Sequence, residues 1–237
     1  NFGGYVKASV GNFDYREGEI VLNLPVVQDK LAIRLAGNLA RRDGFTRSIN
    51  TGQRLDGRHY DAWRVSVLAA PIDGVENLLI VDGREKDQSS TSNILRAANP
   101  AFPLGRGLAS FLVRQEAIGP RKSQSPQRLY DRGSVFGITN KTTVEINDNL
   151  SLKNIVSFRR QRTDRASDYD GTPVNSFYIE NIPGGKGWAV GLDQFTEEFQ
   201  VQGKAPGAGL TYILGFYHES AKPGFRQQLR QNVFGNL

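Results

Sequence analysis

The chain has 237 residues, no cysteine, a formal charge of +6, 38% hydrophobic residues and a mean hydropathy of −0.43. The lack of cysteine excludes disulfide bonds, thiolate metal ligands and cysteine nucleophiles. The sequence has no run of about 18 apolar residues, which excludes a transmembrane helix but not a transmembrane barrel, whose strands expose only alternate residues to lipid. Length alone fits either one large domain or two small soluble domains.

The positive charge is concentrated in one segment. Residues 86–128 contain seven Lys and Arg residues against two Asp and Glu residues, an excess of +5 that nearly equals the charge of the whole chain. A nucleic-acid-binding module would instead carry a basic face with stacking aromatic residues, so we expect no nucleic-acid partner. We interpret the segment as a solvated loop that also contacts lipopolysaccharide phosphates, or as a funnel that steers an anionic ligand by electrostatic attraction.

Alternation of apolar and polar residues predicts about nine strands along the chain. Most of them have the roughly 9–11 residues that a tilted strand needs to cross the hydrocarbon layer of a membrane. The predicted strands are 5–10, 18–24, 31–41, 62–70, 76–84, 131–146, 150–160, 195–202 and 210–219.

The connections between these strands are sorted by length. Short turns at 25–29, 71–74 and 147–149 alternate with long polar loops that follow residues 41, 86 and 161. A soluble β-sandwich has no reason to sort its loops in this way, whereas an outer-membrane barrel has short periplasmic turns and long extracellular loops. The apolar stretch 108–113 in the longest loop predicts a short helix or an internal strand.

The two faces of the predicted strands differ in chemistry. In strand 31–41, Ile33 and Leu35 lie on an apolar side, while Arg34 and Asn38 lie on the other side. Burying an unpaired charge in a soluble core costs several kcal/mol, but a charged face suits a wide barrel with a wet lumen or a polar plug. Strands 76–84 and 131–146 do not alternate cleanly, and their faces are left unassigned.

The sequence contains no catalytic motif, and we expect neither an enzyme nor a resident cofactor or metal. His59 and His218 lack the partners of a zinc site, which favours ordinary polar positions over ligand contacts in the barrel mouth. Residues 168–171 (DYDG) begin like a calcium loop without its later ligands, so a polar turn is favoured over a calcium-stabilised loop. The glycine-rich segments 105–107 and 184–187 complete no phosphate-binding motif and are interpreted as flexible loops.

Several motifs together resemble TonB-dependent outer-membrane receptors. The motifs similar to their third and fourth barrel strands are RRDGF at 41–45, NTG at 50–52, LD at 55–56, RVSVL at 64–68 and PID at 71–73. The opening GGYV at 3–6 resembles the strand that follows their plug domain. Residues 195–201 (FTEEFQV) and 210–217 resemble a later hairpin, with Glu197 where the family commonly has glutamine.

The resemblance implies an all-β fold, an antiparallel up-and-down transmembrane β-barrel. Such receptors have about 22 strands, so about nine strands would form a partial barrel without its plug. Residues 1–237 would be the N-terminal part of the barrel domain, and the chain would be a piece of a longer precursor.

The resemblance also implies a function: TonB-dependent uptake of a ferric siderophore or similar scarce nutrient across the outer membrane. The expected partners are the TonB complex, reached through the plug, an anionic or iron-chelate ligand, and outer-membrane lipid with lipopolysaccharide. The long loops supply the candidate ligand contacts, chosen by location and charge: Arg42, Arg58, His59, Tyr60 and Arg106. Two alternatives remain open, a passive porin-type outer-membrane barrel and a soluble β-sandwich binding module such as a carbohydrate-binding module.

We predict that residues 1–237 alone neither span a bilayer nor transport a ligand. An incomplete sheet has two open edges, and lipid cannot form hydrogen bonds with the unpaired backbone groups there. The measurement is refolding of the isolated chain in detergent, followed by gel mobility with and without heating. A closed species that resists heat would contradict the prediction.

Overall fold

A computed structural model describes residues 2–101, 103–174, 177–183, 190–225 and 227–231. Most of these residues form β-strands, and the only helices among them are one α-helix and one 3-10 turn. The elements in chain order are β1 (Gly3–Gly11), β2 (Tyr15–Val27), β3 (Leu31–Arg42), β4 (Thr46–Ser48), β5 (Arg54–Leu55), β6 (Arg58–Ala69), β7 (Val75–Gln88), α1 (Pro103–Ile118), β8 (Lys122–Ser123), β9 (Tyr130–Asn147), β10 (Leu150–Asp168), β11 (Tyr178–Pro183), β12 (Val190–Ala205), the 3-10 turn (Pro206–Ala208), β13 (Leu210–Phe225) and β14 (Gln227–Gln231).

The nine long strands form one antiparallel sheet in which neighbours along the chain are neighbours in space. Its order is β1-β2-β3-β6-β7-β9-β10-β12-β13, and the short β11 pairs with the far end of β10 and with β14. Each long strand contains or overlaps one of the nine predicted strands, so the predicted all-β, up-and-down architecture is confirmed. In the described part of the chain, β1 pairs only with β2 and β13 only with β12, and the sheet is a partial barrel that does not close.

Several strands extend beyond their predicted limits, and the longest extensions run toward the end of the sheet that carries the long loops. β10 continues to Asp168 and β12 begins at Val190, where the sequence predicted ends near residues 160 and 195. Ion pairs between strands lie along these extensions, such as Arg160–Asp193 at 3.1 Å and Arg132–Asp87 at 2.9 Å. Both faces are polar there, so the alternation that reveals a strand in the sequence is absent.

One face of the sheet is apolar at mid-strand. Strand register places apolar side chains side by side across seven strands: Leu22, Leu35, Val65, Val81, Ile138, Phe158 and Phe195. Three of them are exposed, and the other four are partly exposed. The adjacent row on the opposite face is mainly polar: Asn23, Arg34, Ser66, Ile80, Thr139, Ser157 and Thr196. The polar face lines two pockets and is called the concave face below; the apolar face is called the convex face.

Strand register also assigns the faces of β7 and β9, the two strands whose faces could not be assigned from the sequence. In β7, Leu79 and Val81 point to the convex face, while Leu78 and Ile80 lie on the concave face. The concave face of β7 is therefore partly apolar, which hides the alternation. Two residues after Val81 and on the same face, Gly83 lies between Trp63 and Phe136. A Cβ added to Gly83 would approach the Trp63 indole to 2.7 Å. The glycine thus leaves room for the indole to lie across β7. Trp63 is therefore a candidate for the aromatic girdle that transmembrane barrels carry.

The described residues of the three long loops fold into a layer over one end of the sheet, which we call the cap. Its small sheet pairs β4 antiparallel with β5 and parallel with β8. Its helix, α1, is longer than the predicted stretch 108–113. The buried side chains of the cap include a small apolar cluster of Leu55, Leu129, Ala166 and Tyr178, and many polar groups.

Side-chain hydrogen bonds to the backbone hold the cap together. The Ser48 hydroxyl donates to the Ser125 carbonyl oxygen at 2.9 Å, and the Gln124 amide donates to the Phe111 carbonyl oxygen at 2.9 Å. Gln53 forms a pair of bonds with the backbone of Leu129, at 2.7 and 2.9 Å. No helix of the described chain is both long enough and apolar enough to cross a membrane.

Lysine at Ile138 should block assembly of the parent barrel, whereas lysine at the next residue, Thr139, should be tolerated. Ile138 lies in the convex apolar row and Thr139 in the concave polar row. A charge on the lipid face near the midplane costs about 2–4 kcal/mol, and the same cost applies to lysine at Leu35. Heat-modifiable mobility of the full-length protein in isolated membranes measures assembly. Equal assembly of the two β9 variants would contradict this assignment of faces.

Candidate functional site

A pocket of about 510 Å³ lies on the concave face where the strands meet the cap. The end of β3, the start of β6 and the end of β7 form its floor, and two cap segments form its wall. We call it the rim pocket; it is lined by Arg42, Phe45, Asp56, Gly57, Arg58, Tyr60, Arg84, Lys86, Gln88, Ser89 and Thr91.

The rim pocket is electropositive. It contains four cationic side chains against one carboxylate, that of Asp56. Asp56 is already engaged, because its two oxygens accept hydrogen bonds from the Ser92 amide at 2.9 Å and the Ser92 hydroxyl at 2.7 Å. The Lys86 ammonium lies 2.7 Å from both carboxylate oxygens of Asp131, so that charge is partly neutralised. The excess positive charge comes from the three arginines, Arg42, Arg58 and Arg84.

Two of these arginines are oriented by neighbouring groups. Arg42 donates to the carbonyl oxygen of Asp56 at 2.6 Å, and its guanidinium carbon lies 5.1 Å from the centre of the Phe45 ring. Arg58 donates to the Tyr60 hydroxyl at 2.8 Å, and this hydroxyl donates to the Glu17 carboxylate at 3.4 Å. Each guanidinium carries five N–H donors in a planar fork that matches carboxylate or phosphate oxygens. The arrangement can therefore bind an anion with several oxygen acceptors.

A tight turn at residues 56 and 57 supports the wall of the pocket. Asp56 has a φ of +65°, and its backbone amide donates to the Ser90 carbonyl oxygen at 3.1 Å. The Gly57 amide donates to the Ser89 hydroxyl at 2.9 Å, and a Cβ on Gly57 would meet that hydroxyl at 2.8 Å. A side chain at residue 57 would displace the hydroxyl that accepts this hydrogen bond. The turn fixes the segment that carries Ser89 and Thr91 against the β6 end of the sheet.

The structure brings together three of the five residues that the sequence proposed as ligand contacts. Arg42, Arg58 and Tyr60 line the rim pocket. His59 lies on the convex face, paired in register with Arg41 of β3. Arg106 is exposed on α1 and is not part of the pocket lining. Trp63 is an apolar residue of the predicted strand 62–70, and every second residue of a strand shares a face. Counting back from Trp63 in steps of two would therefore have put His59 on the convex face.

Two cations of the rim pocket, Arg84 and Lys86, were missed by the sequence analysis. Both lie on the concave face of β7. The apolar run at 78–81 left the faces of this strand unassigned, so no count from it could place these side chains in the lumen.

A second pocket, of about 550 Å³, lies deeper on the concave face and shares Arg84 with the rim pocket. We call it the lumen pocket. Its polar lining includes the ion pair of Arg159 with Asp82 at 3.3 Å, which crosses over Gly137 between their strands. A Cβ on Gly137 would approach the Arg159 guanidinium to 2.8 Å, so the missing side chain makes room for the pair. Charged groups along this face require water or a polar partner in the lumen.

The DYDG segment forms a polar turn at the edge of the cap. The Asp168 carboxylate accepts hydrogen bonds from the backbone amides of Asp170 at 3.1 Å and Gly171 at 3.0 Å. Asp168 is only 3% exposed. Burial, and secondly the charge of Asp170, raise the pKa of its carboxyl to about 6. The described part of the chain holds no cluster of three metal-ligating side chains, and residues 184–187 lie outside it.

We expect Asp168→Asn to remove a pH dependence of cap stability. In the folded chain the Asp168 carboxyl has a pKa of about 6, against its ordinary value of 3.8. The folded state therefore binds more protons between these values, and the free energy of unfolding of the cap falls as the pH rises through that interval. Asparagine mimics the protonated acid and keeps the oxygen that accepts both amides.

The measurement for Asp168 is hydrogen exchange of the cap amides in the full-length protein, expressed as protection factors at about pH 4 and about pH 7. The natural chain should lose protection toward neutral pH, and the variant should not. Asp148→Asn, in an exposed turn at the other end of the sheet, serves as the control. Identical pH profiles for the natural chain and Asp168→Asn would contradict the assignment.

Comparison with known proteins gives a consistent answer at the level of fold. No family model matches the sequence. The ferric yersiniabactin uptake receptor FyuA from Yersinia pestis matches with a TM-score of 0.68 at 16% identity, over 94% of this chain and 31% of that one. The ferric-catecholate import receptor Fiu from E. coli K12, in its open form, matches with a TM-score of 0.62 at 16% identity, over 99% and 37%. The siderophore receptor PiuA from Acinetobacter baumannii matches with a TM-score of 0.63 at 13% identity, over 98% and 33%.

The predicted resemblance to the barrel of TonB-dependent receptors is thus confirmed for the fold. The chain spans about a third of the length of the solved structures it matches. At this level of identity the shared feature is the partial barrel itself.

Proposed function

We propose that this chain is part of the barrel domain of a TonB-dependent outer-membrane receptor that takes up a ferric siderophore or a similar scarce nutrient. One observation carries the proposal: three arginines of the rim pocket lie on the lumen side of a partial barrel that is similar to ferric-chelate import receptors. In this proposal residues 1–237 are the N-terminal part of the barrel domain, and the chain works by binding and transport without chemical conversion of its ligand.

The rim pocket sets the chemistry of the proposed ligand. An anionic ferric chelate presents several oxygen atoms with negative charge on one small rigid body, and guanidinium forks bind such oxygens with two N–H groups at once. Arg42 and Arg58 are already oriented by their neighbours, so little side-chain entropy is lost on binding. We propose Arg42, Arg58, Tyr60 and Arg84 as contacts for the ligand. Lys86 is not included, because its ammonium group already pairs with the Asp131 carboxylate.

The lumen pocket supports a further element of the proposal. Arg64, Asp82 and Arg159 line the concave face at depth, where an empty lumen would be a water-filled channel. A polar plug inside the barrel would satisfy these groups, and in the proposed receptor this plug connects the ligand to the TonB complex. The convex apolar face contacts outer-membrane lipid, and the charged strand extensions above it lie at the level of lipopolysaccharide.

We expect Arg58→Ala and Arg84→Ala each to weaken binding of an anionic ferric chelate. Loss of one charge-assisted contact removes about 1.5–3 kcal/mol, or roughly ten- to hundredfold in affinity. The measurement is uptake of radioactive iron by iron-starved cells that express the full receptor, over a panel of chelates, with receptor amounts checked in the outer membrane.

His59→Ala is the matched control, because it is adjacent to Arg58 on the same strand but faces away from the pocket. An equal loss with His59→Ala, or no loss with either arginine variant, would contradict the proposed site. Uptake that persists in cells without TonB would instead identify a passive porin-type barrel.

A further inference from the structure

A carboxylate lies directly behind the electropositive rim pocket without lining it. Glu17 is on the concave face of β2, and its row across the sheet continues through Ala40 of β3 to Tyr60 of β6. Ala40 is fully buried, and its short side chain leaves space for the two longer side chains to meet above it. A negative charge so close to the pocket repels an anionic ligand, so its presence requires another explanation.

Hydrogen bonds from three strands hold the Glu17 carboxylate in place. One oxygen accepts from the hydroxyl of Tyr15 on β2 itself. The other oxygen accepts from the Asn38 amide of β3 at 3.3 Å and from the Tyr60 hydroxyl of β6 at 3.4 Å. Both distances are longer than that of a bond from a single donor, because the two donors share one oxygen. The position of the carboxylate is therefore fixed by its neighbours.

The Tyr60 hydroxyl connects this carboxylate to Arg58. A guanidinium only donates, so the hydroxyl accepts from Arg58 at 2.8 Å and directs its own proton to Glu17. The guanidinium carbon of Arg58 also lies 4.8 Å from the centre of the Tyr60 ring, within the range of a cation–π contact. Among the described residues one N–H group of Arg58 is used in this way, and the others remain available to a ligand in the rim pocket.

A second glutamate on the same face of β2 lacks this connection. Glu19 accepts a hydrogen bond from the Tyr5 hydroxyl of β1 and lines the lumen pocket. Its row leads through Asn38 and Ala62 to Arg84, and in the described part of the chain no hydrogen bond joins Glu19 to that arginine. The two glutamates thus carry the same charge on the same face but differ in their link to the pocket.

We propose that Glu17 is a positioning residue of the anion site, and that it acts through the Tyr60 hydroxyl to hold the Arg58 guanidinium toward the rim pocket. The inference rests on the proposed function, since it concerns an anion that binds Arg58. Glu17 then has two effects of opposite sign. Its charge repels the ligand, whereas its hydrogen bond orders a ligand contact before binding and so reduces the entropy lost on binding.

Two substitutions of Glu17 separate these effects. Glu17→Gln removes the charge but keeps an oxygen that accepts from Tyr60, whereas Glu17→Ala removes both. We expect Glu17→Ala to raise the half-saturation concentration of uptake about three- to tenfold with little change in the maximal rate. Glu17→Gln should leave this concentration unchanged or lower it. A decrease or no change with Glu17→Ala, or equal increases with both variants, would overturn the proposal.

The measurement is uptake of radioactive iron by iron-starved cells that express the full receptor, with receptor amounts checked in the outer membrane. The iron is supplied as its citrate, catecholate or hydroxamate chelate, whichever the natural receptor takes up fastest. Glu19→Ala is the matched control, because it removes the same charge from the same face of β2. It should cause no increase in the half-saturation concentration, and an increase equal to that of Glu17→Ala would contradict the specific role of Glu17.

A double-mutant cycle with Tyr60→Phe tests the connection itself. The hydroxyl is absent in this background, so adding Glu17→Ala should cause no further increase in the half-saturation concentration. A full further increase would show that Glu17 acts by another route and would overturn the proposal.

A measurement without ligand separates this proposal from the proposed function. Crystal structures of the full-length protein should show the Arg58 guanidinium in one position in the natural chain and in Glu17→Gln, and in several positions in Glu17→Ala. A single unchanged position in all three would overturn the positioning role. If Glu17→Ala releases the guanidinium while Arg58→Ala leaves uptake intact, the positioning role is supported and the proposed ligand site is refuted.

Discussion

The hydrogen-bonded ladder between antiparallel strands is the constraint on which the rest of the structure depends. Each long strand bonds to the strands before and after it in sequence, and the register is continuous from β1 to β13 with shifts at only a few residues near the turns. Where lipid surrounds a chain, every backbone amide and carbonyl must be paired within the protein. The ladder meets this requirement for the interior strands and simultaneously sorts side chains into two faces.

The division of side chains between the two faces determines which of them line the pockets. Because side chains alternate along each strand, Arg58 and Tyr60 face the lumen, whereas His59 between them faces outward. The same rule puts Arg64 and Asp82 in one row of the concave face and Trp63 with Gly83 in one row of the convex face. Two neighbouring residues therefore contribute to different surfaces, one to the polar concave face and the other to the convex face.

The sequence analysis found those strands in which one face is apolar and the other is polar. The run from Leu31 to Leu39 alternates clearly, because one side is apolar and the other polar along its whole length. The prediction weakened wherever the two faces became alike. β7 has apolar residues on both faces at Leu78 and Leu79, and β10 has polar residues on both faces beyond Arg160, so faces or ends were missed there.

The cap and the site were predictable to different degrees, for physical reasons. The cap depends on serine and glutamine side chains that bond to distant backbone groups, such as Ser48 with Ser125 and Gln53 with Leu129. Bonds of this kind follow no periodic pattern, so the sequence showed only polar loops. The candidate contacts Arg42, Arg58 and Tyr60 could be found because charge and loop position coincide, but their grouping with Arg84 required the register of β7.

The strand extensions determine how far the rim pocket stands from the membrane surface. Arg58 lies five residues beyond the girdle residue Trp63 on β6, which raises it about 13 Å above the girdle in the proposed orientation. That height exceeds the Debye length of about 8 Å at physiological ionic strength. The negative potential of the lipid phosphates is therefore largely screened at Arg58, whereas Arg84 pairs in register with Ala62, one residue beyond the girdle. A sheet that ended at the girdle would leave Arg58 within the repulsive layer, so the extension of β6 sets the distance between this arginine and the lipid phosphates.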